Sequence, residues 1–168
     1  PGLSAAEKVY GWNSFAVLAM TTGQPEAPVN AINGQARATC QLRFVVGTEP
    51  ERILPDLRAH LDAHGFEMVQ IAPLREGYFP ATRAALDNPW VRRVAASVET
   101  TLGTPPDLLP NLGGSLPNHV FARTLGLPTV WVPHSYGGCS QHAPNEHALV
   151  SLCTQALQVM AGIYWDLG

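Results

Sequence analysis

Towards the end of the chain, Ala148, Leu149, Leu152, Ala156, Leu157, Met160 and Ile163 recur mostly three or four residues apart. A stripe of this kind has to lie on another element, so the chain ends in an amphipathic helix that needs a core. Asn145 is the expected N-cap, and Glu146 suits a first turn, where the positive end of the helix dipole lies. That start puts His142 of Gln141-His142-Ala143-Pro144-Asn145-Glu146 in the loop at the mouth of a rigid element. Such a position suits a metal ligand or an acid/base group. Upstream, Gly113-Gly114-Ser115-Leu116-Pro117 is a glycine-rich segment that lets backbone amides approach an anionic ligand.

The first part of the chain predicts strand, helix, strand. Residues 14–20 are apolar without a clear period and suit either a strand or a short helix. Thr22-Gly23-Gln24-Pro25 marks a turn. Residues 36–46 alternate, with Ala38, Cys40, Leu42 and Phe44 on one face and Thr39, Gln41 and Arg43 on the other. Thr48 is the expected cap of a helix with Pro50 and Glu51 in its first turn, a stripe of Ile53, Leu54, Leu57 and Leu61, and Gly65 as its stop. Residues 66–71 read as a further strand, which completes an α+β unit of ferredoxin-like type. Further on, Asn88-Pro89 caps a helix over 90–102 and Gly103 ends it. Residues 120–125 read as helical, 128–132 as a short apolar strand, and 135–141 as a loop. Helices alternating with short apolar strands are α/β in character.

Composition narrows the functional classes. A formal net charge of −3 over 168 residues is too near neutral for a nucleic-acid binder that works through a basic surface. No apolar run reaches membrane-spanning length. Cys40, Cys139 and Cys153 are widely spaced and odd in number, which argues for free thiols in a reducing, cytoplasmic setting, with one disulfide still open. The absence of a Cys-x-x-Cys pair argues against a structural zinc site made of cysteines. The chain begins at Pro1, so a processed or truncated piece of a longer protein is expected.

Several motifs stand in one order. They are Val29-Asn30-Ala31-Ile32-Asn33-Gly34, then Gln41-Leu42-Arg43, then Gly47-Thr48-Glu49-Pro50, then Gly113-Gly114-Ser115, then His142-Ala143-Pro144-Asn145-Glu146. The ordered set resembles the C-terminal part of the dinuclear zinc amidohydrolases and exopeptidases that include acetylornithine deacetylase, succinyl-diaminopimelate desuccinylase, aminoacylase and glutamate carboxypeptidase. The resemblance runs from about Asn30 onward, with Asn33 standing where that family usually has proline. It implies the second half of a ferredoxin-like lid (dimerisation) domain in residues 1–76, followed by the C-terminal half of an α/β catalytic domain in residues 77–168. It also implies a hydrolase of the amide bond in N-acyl amino acids or small peptides, in which two zinc ions share an activated water and a glutamate takes its proton. Cobalt or manganese would suit the same imidazole and carboxylate donors.

By the same resemblance His142 is a metal ligand. Asn30, Arg43, Gly114 and Ser115 contact the substrate, Arg43 through a guanidinium fork that grips its free carboxylate. The family's other ligands, its general base and its lid histidine lie in segments that are not among these residues. The chain alone is therefore expected to be inactive and to hold metal weakly or not at all. A homodimer through the lid is the implied assembly, with no nucleic acid or membrane as partner.

Each residue also has a plainer reading: a surface arginine, a turn asparagine, loop glycines, a capping histidine. Asn145 and Glu146 read as capping and supporting groups, and Trp12, Trp90, Trp131 and Trp165 as packing residues. A Cys139 nucleophile with His142 or His134 as base is the alternative chemistry. His60 and His64, four apart, read as a solvated helix face with a spacing that also suits adventitious metal. The alternative function is a non-catalytic binding or oligomerisation module, since half a lid leaves a sheet edge open.

Overall fold

The computed structural model describes residues 2–74, 77–112 and 114–168. Two compact units form, one from Pro1–Thr82 with Asn111–His119 and one from Arg83–Pro110 with Val120–Gly168. The boundary read after residue 76 falls on Glu76, which lies outside the described residues.

The first unit runs α1 (Ala5–Gly11), β1 (Ser14–Thr22), β2 (Ala36–Arg43) and α2 (Pro50–Ala63). Helix α1 went unread in the sequence although its signal is there. Ser4 Oγ accepts from Glu7 N–H at 3.2 Å while Glu7 Oε2 accepts from Ser4 N–H at 2.7 Å, a reciprocal capping box. Segment 14–22 is a strand, paired antiparallel with β2 from Ser14↔Arg43 to Thr22↔Ala36. The ladder slips between Val17 and Ala19, so Leu18 is a bulge. This one extra residue keeps Phe15, Val17 and Met20 on one face, opposite Leu42, Cys40 and Ala38. It also hides the strand period in the sequence, which is why residues 14–20 looked ambiguous.

Gly23 closes the neck of the loop that follows β1. Its N–H donates to Gln35 O at 3.1 Å and its φ is +65°. A Cβ there would lie 2.4 Å from Asn33 Oδ1. Gly23→Ala is therefore expected to cost about 1–2 kcal/mol, from left-handed backbone strain and a displaced Asn33 amide. Limited proteolysis within residues 24–34 would report it, and unchanged cleavage would show that the neck does not hold the loop.

Strand β2 stops at Arg43, three residues before the expected end, because Val45 N–H donates to Asn13 Oδ1 at 2.9 Å. Thr48 does not cap α2. Its hydroxyl bonds the Asn13 amide at 3.1 Å, and Glu49 stands at the N-cap without a side-chain bond. Gly65, at φ +78°, ends α2 as expected, with Phe66 N–H on Leu61 O at 2.9 Å and Gly65 N–H on Asp62 O at 3.2 Å. The expected strand over 66–71 is absent. Arg58 donates to Phe66 O and Val69 O, and Val69 N–H turns back on Phe66 O, which takes up the groups a ladder would need. The first unit is thus helix, strand, strand, helix rather than strand, helix, strand.

The second unit packs α3 (Pro89–Leu102) against α4 (Val150–Leu167). Asn88 Oδ1 accepts from Trp90 N–H at 2.9 Å, and Gly103 ends α3 at φ +73°, both as read. The helices run antiparallel: Arg93 holds Asp166 O at 2.6 Å, and a Cβ on Gly162 would meet Thr101 Oγ1 at 2.5 Å. Val98, Val159 and Ile163 make the buried cluster. Val120–Thr124 is helical as read, in one wide π-type turn closed by Leu125 N–H on Val120 O. The expected strand over 128–132 is also absent, since among the described residues no strand pairs with it.

Helix α4 begins at Val150 with Leu149 at its N-cap, four residues later than the expected cap Asn145. Asn145 has φ +64° and His142 φ +61°, which turn the chain left-handed where a helix was expected.

The apolar faces are largely open. Val17 is 60% and Met20 72% exposed, and all of α1, β1 and α2 lack a buried residue. The four tryptophans do not pack as expected, Trp165 being 86% exposed. The chain exposes 13397 Å² for its 18.0 kDa. One globular domain of that mass exposes about 8,000 Å², and two separate equal halves about 9,700 Å².

Candidate functional site

Arg43 ends β2, on the same strand face as Gln41, whose Oε1 accepts from Arg43 Nε at 3.2 Å. The bond steadies one edge of the guanidinium. Just beyond, Phe44 meets Tyr78 edge-on at 5.9 Å between centroids, and Tyr78 Oη donates to Glu51 Oε1 at 2.6 Å. The Tyr78 hydroxyl holds the Glu51 carboxyl below its ordinary 4.5. A lowered carboxyl pKa adds stability above the unfolded value and loses it as pH falls through the folded one. Tyr78→Phe is therefore expected to raise the Glu51 pKa and to flatten the acid side of the unit's stability profile. Carboxyl titration by NMR checks this, and an unmoved Glu51 would remove the hydroxyl as its cause.

Asn30 lies exposed in the loop whose neck Gly23 and Gln35 close, at the centre of the tight turn made by Ala31 N–H on Val29 O at 2.9 Å. Gly114 and Ser115 are exposed in the Asn111–His119 segment of the same unit; Gly113 lies outside the described residues. Four expected substrate contacts, Asn30, Arg43, Gly114 and Ser115, thus belong to the first unit, and His142 to the second.

His142 stands in a loop folded around the buried Cys139. Ser135 Oγ donates to Cys139 Sγ at 3.1 Å, and His147 N–H donates to Cys139 O at 3.0 Å. His147 Nδ1 lies 2.8 Å from Asn145 O, an acceptor, so Nδ1 carries the proton and Nε2 accepts from Tyr136 Oη at 2.6 Å. Glu146 is no first-turn residue. Its Oε2 accepts from the His142 backbone N–H at 3.3 Å and helps hold that residue in its left-handed conformation. Among the described residues the His142 ring makes no hydrogen bond, and the side chain is exposed.

The Tyr136–His147 and Glu146–His142 bonds were not read in the sequence. They join residues brought close by left-handed turns at Ser140, His142 and Asn145, none of them glycine, so composition carries no signal for them. The burial of Cys139 removes the exposure that the alternative thiol nucleophile requires.

Among the described residues no three His, Cys, Asp or Glu side chains come together as a metal site. No helix among them is long and apolar enough to cross a membrane.

Helices with a two-stranded sheet in this order make a fold that is already known. Two solved structures carry it. An M20 family metallo-carboxypeptidase, Sso-CP2 from Sulfolobus solfataricus, is similar over 94% of this chain with a TM-score of 0.74 at 21% identity. The di-peptidase Dug1p from Saccharomyces cerevisiae is similar over 97%, with a TM-score of 0.74 at 16% identity. The likeness is one of fold, and the chain spans 36% and 35% of those two chains. No protein-family model and no curated protein sequence matches this chain.

Proposed function

We propose that the chain is part of a metal-dependent hydrolase that cleaves the amide bond of N-acyl amino acids or small peptides. The observation that carries the proposal is the fold likeness over nearly the whole chain to about a third of a metallo-carboxypeptidase and of a di-peptidase, in a sequence whose ordered motifs resemble the zinc amidohydrolase and exopeptidase family. In this reading residues 1–76 are half of a lid and residues 77–168 the C-terminal half of a catalytic domain. Arg43 grips the substrate carboxylate, while Asn30, Gly114 and Ser115 orient the substrate by hydrogen bonds. His142 is one ligand of a zinc centre whose other ligands come from outside these residues.

The large open surface supports the reading, because faces such as Phe15, Val17 and Met20 call for a covering partner. The remainder of the hydrolase would supply much of that cover. A second copy of the lid, paired along the open sheet edge, would make the homodimer. The free thiols Cys40, Cys139 and Cys153 suit a cytoplasmic setting.

The purified chain, supplied with Zn²⁺, is expected to release no product from N-acetyl amino acids or dipeptides. Hydrolysis by the chain that disappears in His142→Ala would overturn the division of the site between this chain and the rest. The natural full-length protein is expected to hydrolyse them and to lose that activity to a chelator; a full-length protein inactive on all of them would sink the hydrolase reading.

A further inference from the structure

His60 in the last turn of α2 and His64 at its C-cap are two imidazoles that no part of the proposed hydrolase site uses. His60 and His64 are four apart, so they lie one above the other on the helix surface. Their ring centroids are 4.2 Å apart and the rings are tilted by 38°. His64 Nδ1 is 2.7 Å from His60 O. A carbonyl only accepts, so Nδ1 carries the proton and Nε2 keeps its lone pair. An N–H held by a backbone carbonyl is the usual way a protein orients a histidine to bind metal through its other nitrogen. Both side chains are exposed, and among the described residues the His60 ring makes no hydrogen bond.

We propose that His60 and His64 form a two-point chelate for a late first-row divalent metal ion. Bonds of about 2.0–2.1 Å from two imidazoles to one ion need nitrogens roughly 3 Å apart. Rings 4.2 Å apart are close enough for side-chain rotation to bring nitrogens to this spacing. Asp56, one turn earlier on the same face, is engaged by Arg52 at 3.2 Å, and Asp62 by Arg58 at 2.6 Å. The protein therefore supplies two donors here, and water completes the coordination. Imidazole donors order the ions as Cu²⁺ above Zn²⁺ above Mn²⁺. The site is independent of the hydrolase reading, since it shares no residue with it.

The untagged chain would be titrated with Cu²⁺, Zn²⁺ and Mn²⁺ by calorimetry, with imidazole and amide NMR signals followed in parallel. One ion per chain is expected, in that order of affinity, with shifts centred on His60 and His64. His60→Ala and His64→Ala are each expected to weaken Zn²⁺ binding about tenfold or more. His142→Ala is expected to leave it unchanged, which separates this site from the proposed catalytic one. Amide spectra of the two exposed-site variants would verify that α2 still forms, and His60→Gln gives a second, helix-compatible variant. The absence of Zn²⁺ binding, or binding that survives loss of either imidazole, would overturn the proposal.

Discussion

Ile163→Ala is expected to lower the unfolding free energy by about 3 kcal/mol, within the roughly 2–5 kcal/mol typical of a truncated core aliphatic. Ile163 is 6% and Val159 4% exposed, and with Val98 they form the buried cluster between α3 and α4, with Val94, Leu102, Val132 and Met160 packed around it. Gly162 brings the two helices close at Thr101, so the backbones have little freedom to close the gap that a lost side chain leaves. Ser97, 4% exposed on the same interface, supplies the contrast. Its hydroxyl is buried without a partner among the described residues, so Ser97→Ala is expected to be neutral or stabilising by up to about 1 kcal/mol. Urea melts of the two variants should move in opposite directions or differ by several kcal/mol. Similar small losses from both would mean that this interface does not carry the unit's stability.

If the proposed hydrolase reading holds, Arg43→Ala in the full-length protein is expected to raise KM for a carboxylate-bearing substrate roughly a hundredfold, about 3 kcal/mol of lost binding. A guanidinium presents two parallel N–H donors to a carboxylate, and Gln41 already holds its Nε edge in place. Arg43→Lys keeps the charge without the fork and is expected to recover only part of the loss. The decisive comparison is a substrate analogue in which an amide or ester replaces the carboxylate. Its KM should hardly change between the native protein and Arg43→Ala. Equal losses on both substrates would make Arg43 a structural residue of β2 and remove it from the proposed site.

Local chemistry was legible where one residue settles its own backbone. Asn88 and Pro89 opened α3, Gly65 and Gly103 ended their helices, and the alternation after Ala36 marked β2, because each effect acts within one turn or one pleat. Reading failed where a distant partner decided the outcome. Residues 66–71 have strand composition, yet Arg58 and a local turn take their carbonyls. Thr48 has capping chemistry, yet Asn13 claims its hydroxyl from 35 positions away. The apolar stripe from Leu152 to Ile163 did predict the last helix, but the left-handed turns at His142 and Asn145 delay its start to Val150.

The order of the motifs, from Asn30 through Arg43 and Ser115 to His142, was enough by itself to point to the fold that this chain shares with an M20 family metallo-carboxypeptidase and a di-peptidase. Only the tertiary structure decided that Phe15, Val17 and Met20 share one open face, that Cys139 is buried, and that Glu146 holds the His142 backbone rather than a helix end. Burial and hydrogen-bond partnership depend on segments far apart in sequence meeting in space, and local pattern carries no record of that.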